Sequence, residues 1–199
     1  MLRLLAINGC YRENSVIEQA VALVVQTTMA AGATTQIVRL RDLPVKDCLN
    51  CRQCTGQPGT VPDECVIRKH MNTLLEQIEA ADGFILASPA NLYTANNVFR
   101  RLIEQLMEYA LIHGGPHAPS FAGQSNRRPA ILISTSATPG WMGRVYYSTH
   151  QQLKETARAL GAQSAGSVYI DMACPERDPV LPDKVRRQLQ DLAGKLLHE

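Results

Sequence analysis

The chain has 199 residues, of which 45% are apolar and 19% charged, with a formal net charge of +2. That length suits one domain with a full core, expected to span residues 1–199, and a charge so close to neutral, without a lysine–arginine tract, argues against a nucleic-acid partner. No apolar run reaches membrane-spanning length. The N-terminus lacks the basic start and long apolar core of a secretion signal, so a cytoplasmic protein with no membrane partner is expected.

Strand and helix patterns alternate along the chain. The first strand is predicted over Leu2–Ile7. The polar stretch Asn8-Gly9-Cys10-Tyr11-Arg12-Glu13-Asn14-Ser15 follows it, and then a helical apolar pattern at Ile17, Val21 and Val24. A strand, a short polar loop and a helix start in that order form an anion site, because the first N–H groups of a helix have no internal partner and its dipole favours negative charge there. Ser15 is placed to cap the helix or to offer its hydroxyl, and Arg12 to supply a fixed charge. An ordinary turn with an N-cap explains the same residues, since most Asn-Gly pairs are turns.

Further strands are predicted at Thr35–Leu40, Gly83–Ala87, Ala130–Ser134 and Ser167–Asp171. Runs such as Phe84-Ile85-Leu86-Ala87 are continuously apolar, as in strands covered on both faces. Helical stripes occur at Met71, Leu74, Leu75 and Ile78, and at Phe99, Leu102, Ile103 and Leu106. Others lie at Leu153, Ala157 and Leu160 before Gly161, and at Val185, Leu189, Leu192 and Leu196. They read as core faces. The βαβαβαβαβα order implies a parallel sheet with helices on both faces.

Two long connections, Arg41–His70 and about His113–Arg128, interrupt the pattern, and long loops in a compact domain tend to be functional or mobile. In an open α/β sheet, ligands bind beyond the carboxyl ends of the strands, where strand order reverses. Three loops meet that condition: Asn8–Ser15, Ser88–Thr94 and Thr135–Gly143. Ser88-Pro89-Ala90-Asn91-Leu92-Tyr93 leaves its strand through a proline, which keeps the backbone extended. Thr135-Ser136-Ala137-Thr138-Pro139-Gly140 offers hydroxyls and a flexible glycine. One loop suited to phosphate and two suited to a flat heteroaromatic describe a mononucleotide site.

Together these residues resemble the NADPH-dependent FMN reductase-like family of the flavodoxin-like superfamily. Gly9-Cys10-Tyr11-Arg12 with Asn14 and Ser15 is similar to the family's Gly-Ser-Pro-Arg phosphate loop. Ala81-Asp82-Gly83 through Ser88-Pro89, and the helix with Phe99, Arg100 and Arg101, are similar to its next segments. The resemblance implies an α/β flavodoxin-like three-layer sandwich with a five-stranded parallel sheet of order 2-1-3-4-5. It implies FMN, its phosphate held by Cys10, Arg12, Asn14, Ser15 and the N–H of Val16. The isoalloxazine would lie against Pro89, Ala90, Asn91, Leu92 and Tyr93, with Thr135, Ser136 and Gly140 on its other side. Cys10 stands where the family has serine, which turns a hydroxyl donor into a weak S–H. Charge-assisted hydrogen bonds contribute about 1.5–3 kcal/mol each, so the site survives that change if Arg12 and Ser15 remain. Tyr11 stands in place of proline, and Asn91 where an aromatic is common.

No Gly-x-Gly-x-x-Gly motif is present, which argues against a stably held dinucleotide. NADPH or NADH is expected as a transient co-substrate. Neither Ser88–Thr94 nor Thr135–Gly143 contains Asp or Glu. Backbone N–H groups and Arg144 would therefore stabilise a reduced, negatively charged flavin, which favours two-electron chemistry. The implied activity is hydride transfer from NAD(P)H through FMN to a small-molecule acceptor such as a quinone or free flavin, with the cofactor performing the chemistry and no catalytic acid or base assigned. Arg127 and Arg128 suit a 2′-phosphate or plain surface solvation equally well.

Six cysteines occur, and Cys48-x-x-Cys51-x-x-Cys54 with Cys65 form a compact set. Such spacing suits a [4Fe-4S] cluster or zinc, and it is similar to the iron–sulfur flavoproteins, a neighbouring family. Thiols without metal, lining a loop, fit as well. An iron–sulfur electron carrier using these four cysteines and a non-enzymatic flavin-binding redox sensor are the alternative functions. The resemblance also implies a homodimer or higher homo-oligomer, with 106–111 as a contact surface or as core. Trp141 and Tyr146 suit flavin cover or packing. His70, His113, His117 and His150 suit surface or capping roles.

Overall fold

The computed structural model describes residues 1–47, 71–114, 128–139, 147–171 and 179–197, without the side chains of 107–114. The strands are β1 (Arg3–Asn8), β2 (Thr34–Arg39), β3 (Gly83–Asn91), β4 (Thr94–Ala95), β5 (Arg128–Thr135) and β6 (Ala162–Ile170). The helices are α1 (Val16–Ala30), α2 (Asn72–Ala80), α3 (Asn97–Gly114), α4 (Thr149–Ala159) and α5 (Asp183–Leu196), with a 3-10 turn at Leu40–Asp42.

Five strands run parallel in the order β2-β1-β3-β5-β6, which is the expected 2-1-3-4-5 once the short β4 is set aside. β4 folds back antiparallel on the end of β3. The segment Ser88–Asn91, expected as loop, is strand: Ser88 and Pro89 pair with Ser134 and Thr135 of β5, and Ala90 and Asn91 pair with β4. β6 begins five residues before its apolar signal at Ser167, its N-terminal half pairing with β5 despite small and polar residues.

The side-chain period of two sorts the apolar residues to opposite faces. Leu5, Ile7, Phe84, Leu86 and Leu132 pack beneath α2, α3 and α4 with Ile78, Phe99, Leu102 and Leu153. Leu4, Ala6, Ile85, Ile131 and Ile133 pack beneath α1 and α5 with Val21, Val24, Leu189 and Leu196. The stripes read from the sequence are thus core faces, Leu106 included. Gly161 ends α4 with a positive φ of 70°, the left-handed conformation a glycine adopts without penalty.

Arg128 departs from both roles the sequence allowed it. It neither meets solvent nor faces a phosphate: it is buried at the start of β5. Its guanidinium donates to the carbonyl oxygens of Ile78 at 2.6 Å and Ala81 at 3.1 Å, and also to that of Leu160. These carbonyls end α2 and α4, so one cation satisfies the negative poles of two helices. Its carbon Cζ lies 4.7 Å from the Phe84 ring centroid. Burial lowers its pKa from the ordinary value, with the attraction of Asp82 and Glu79 opposing that shift.

Replacing Arg128 with Met leaves three carbonyls without this donor, at a cost of about 2–3 kcal/mol. For a chain of this length that lowers Tm by roughly 4–12 °C, to be read by thermal denaturation.

Candidate functional site

The strand order reverses between β1 and β3, and the ends of β1, β3 and β5 meet at the sheet's carboxyl edge. A cavity of about 420 Å³ opens there, within the size range of small-ligand clefts. Cys10, Tyr11 and Arg12 line it from the first loop, and Ser15, Val16 and Ile17 from the start of α1. Pro89, Ala90 and Asn91 line it from β3, Thr135, Ser136 and Ala137 from the end of β5, and Pro179 from the segment before α5.

The first loop is set by packing as much as by its own bonds. Gly9 donates to the carbonyl of Ala87 at 2.8 Å. A Cβ at Gly9 would stand 2.9 Å from Phe99 Cδ2 and 3.2 Å from the Ala87 oxygen, so no side chain fits without displacing a neighbour. The buried Asn96 donates through Nδ2 to the Gly9 carbonyl. Its Oδ1 accepts from the Phe99 N–H at 3.2 Å, which caps α3. Asn8, also buried, accepts the Cys10 N–H at 2.9 Å through Oδ1. Asn8 opens the polar stretch read from the sequence but carries no role there, and Asn96 is signalled only by preceding a helical stripe, as a cap should.

Ser15 is the N-cap of α1, accepting from the Glu18 N–H at 3.2 Å. Val16 and Ile17 stand in the first helical turn, whose N–H groups have no intrahelical acceptor, and both line the cavity. Glu18 accepts the Asn14 N–H at 3.1 Å. Its carboxylate also meets Arg39 at 2.9 Å and Arg41 at 3.3 Å, and Arg41 reaches Glu13 at 3.4 Å. Burial lowers and Glu18 raises the Arg41 pKa, and the net shift is upward, helped by Glu13 and Asp42. Glu18, the acid nearest the helix start, is thus neutralised by arginines from the end of β2 and the turn after it.

The sulfur of Cys10 lies 3.0 Å from Ser15 Oγ and 3.5 Å from the Arg12 carbonyl oxygen. The thiol is buried and packs among the apolar residues beneath α1. Asn14 does not line the cavity: it holds the loop's left-handed position at φ 56°. Ser136 lines the cavity, but its hydroxyl is fully engaged. It donates to the Thr138 carbonyl at 3.2 Å and accepts from the Thr138 N–H at 3.2 Å and from the Tyr169 hydroxyl. A saturated hydroxyl has nothing left for a ligand, so Ser136 shapes the loop, with Tyr169 as a partner that no sequence pattern announced.

Leu92 and Tyr93 likewise do not line the cavity. They form the two-residue turn of the β3–β4 hairpin, with Asn91 paired to Thr94. Both have positive φ, 45° and 68°. A tight hairpin with this twist asks for Asn-Gly, and a side chain in that conformation costs about 1–2 kcal/mol. Gly140, Arg127, Arg144, Trp141, Tyr146, His70, His117 and the cysteines Cys48, Cys51, Cys54 and Cys65 lie outside the described residues, as does the His113 side chain. Among the described residues, no group of three or more His, Cys, Asp or Glu is arranged to hold a metal ion.

Residues 2–173 match the family described as NADPH-dependent FMN reductase. The chain belongs to that family. Among characterised relatives it is similar to an iron–sulfur flavoprotein of Methanosarcina thermophila, 28% identical over 88 residues that make up 44% of each chain. It is also similar to one of Archaeoglobus fulgidus, 21% identical over 104 residues, which are 52% of this chain and 48% of the relative. The match thus spans about half the length of these curated relatives. Among solved structures, an FMN-dependent NADH-azoreductase from Bacillus anthracis in complex with FMN superposes with a TM-score of 0.68 at 16% identity. That match covers 98% of this chain and 99% of the other, a likeness of fold.

Loss of Asn96 removes the tie between the first loop and α3. An Asn96→Ala variant is expected to lose about 2–3 kcal/mol of stability. Urea denaturation should show a lower midpoint at an unchanged slope.

Proposed function

We propose that the cavity holds FMN with its phosphate at the start of α1, and that the protein passes reducing equivalents from NAD(P)H to a small-molecule acceptor such as a quinone or free flavin. One observation carries this reading: a single cavity joins an anion site to two strand ends free of acidic side chains. Its described lining includes Arg12, the Ser15 cap and the first-turn residues Val16 and Ile17, and contains no Asp, Glu, Lys or His.

The residues fit the group. Arg12 and the open N–H groups of Val16 and Ile17 suit a phosphate dianion, helped by the helix dipole. Glu18 would oppose it, but Arg39 and Arg41 draw its charge. Cys10 offers only a weak donor, and its contact with Ser15 makes it a support for the cap rather than a main ligand. Pro89, Ala90 and Asn91 from β3, with Thr135 and Ala137 from the end of β5, supply a lining free of charged groups for a flat ring system.

FMN held there would supply the hydride chemistry between NAD(P)H and the acceptor, the acceptor's second proton coming from solvent. The chain's own part is to hold and orient. With no carboxylate in the described lining, nothing there repels the negative charge of a reduced flavin. This supports a two-electron enzyme over a carrier that suppresses the anionic reduced state.

Anaerobic stopped-flow mixing of the FMN-loaded protein with NADPH or NADH tests the reading. Bleaching of the flavin band followed by recovery on adding a quinone is the expected result. A flavin that neither nucleotide reduces would contradict it and leave the sensor or carrier alternatives.

A further inference from the structure

The hairpin tip beyond Asn91 has a conformation its residues do not favour. Leu92 and Tyr93 both occupy the left-handed region, and burial does not offset that strain: Leu92 is 91% exposed and Tyr93 60% exposed. The tip is nevertheless held firmly. The Tyr93 carbonyl accepts from the Ser148 N–H at 2.7 Å and from the Ser148 hydroxyl at 3.1 Å. At the base of the hairpin, Gln152 Oε1 accepts from the Thr94 hydroxyl at 2.9 Å and the Ala95 N–H at 2.8 Å. The Tyr93 ring leans on Tyr147, with centroids 5.1 Å apart and planes at 51°.

Strain that the surroundings over-determine concentrates at ligand clamps and switch regions. The tip's position agrees with that. Six large apolar side chains are exposed among the described residues, and four of them sit on segments bordering the cavity. Tyr11 lines it, Leu92 and Tyr93 continue from Asn91, and Val180 follows Pro179.

We propose that Leu92 and Tyr93, backed by Tyr147, form a ledge at the cavity mouth that receives planar conjugated acceptors and sets the enzyme's preference for them over compact inorganic ones. This rests on FMN occupying the cavity, but not on which nucleotide reduces it. The anchored hairpin presents a rigid aromatic edge, and a flat acceptor gains ring contact there that a compact ion cannot. The ledge touches the acceptor, not the flavin, and so separates acceptor choice from cofactor binding.

The test uses FMN-loaded protein reduced with dithionite, so that no nicotinamide is involved, mixed anaerobically with menadione or with ferricyanide. Menadione leaves as its hydroquinone after taking two electrons and a proton from the flavin and one proton from solvent, whereas two ferricyanide ions each take one electron. In the double variant Leu92→Asn/Tyr93→Gly, the menadione-to-ferricyanide ratio of reoxidation rate constants should fall about tenfold, the loss expected from removing one aromatic contact. The same variant suits the turn better, so its Tm should rise by about 2–6 °C. Tyr93→Phe, which keeps the ring, should keep the ratio.

A ratio within twofold of the parent's, or a lower Tm, would overturn the ledge. So would dissociation of an oligomer in the double variant, which would make the tip a contact between copies of the chain. Failure of the FMN reading is distinct, appearing as a protein that retains no flavin, and it takes the ledge with it.

Discussion

Everything at the carboxyl edge of the sheet depends on how closely the chain packs at Gly9. Its N–H is bonded to β3, its carbonyl to the Asn96 side chain, and the space a Cβ would take belongs to Phe99 and the Ala87 carbonyl. That contact brings the end of β1, the end of β3 and the start of α3 into one rigid corner. The first loop leaves this corner toward the N-terminus of α1. A helix start supplies open N–H groups wherever it occurs, and here the corner aims them into a cavity bordered by two other strand ends.

The polar groups near the cavity divide into those already committed and those left for a ligand. Ser136 is saturated, Asn8 and Asn96 are spent on backbone, and Glu18 is drawn to two arginines. First-turn residues Val16 and Ile17 line the cavity, with Arg12, Asn91 and Thr135 also in its described lining. The charge pattern follows: positive potential at the phosphate end, and no acidic side chain in the described lining where the ring would lie. A reduced flavin held there would meet no carboxylate in the described lining to oppose its charge.

What was legible in the sequence was local. Apolar runs marked β1, β3 and β5 because strands covered on both faces leave no polar alternation, and 3.6-residue stripes marked the helices that cover them. The loop from Asn8 to Ser15 was readable because strand, polar residues, cap and helix follow one another directly. What escaped was set by distant contacts. Arg128 looks like a surface residue until α2 and α4 end on either side of it. The β3–β4 hairpin gives no signal because Leu92-Tyr93 is a poor turn pair, and the first half of β6 gives none because Ala162–Gly166 is small and polar and pairs only through its neighbour. Tyr169 acts through Ser136 from another strand.

The central claim is that the start of α1 is a phosphate anchor, and the comparison of FMN with riboflavin, which differ only in that phosphate, tests it most directly. Several charge-assisted contacts at about 1.5–3 kcal/mol each should make FMN bind at least about a hundredfold more tightly. Arg12→Ala should narrow that gap and leave riboflavin affinity as it was. Equal affinities for the two flavins would contradict the account.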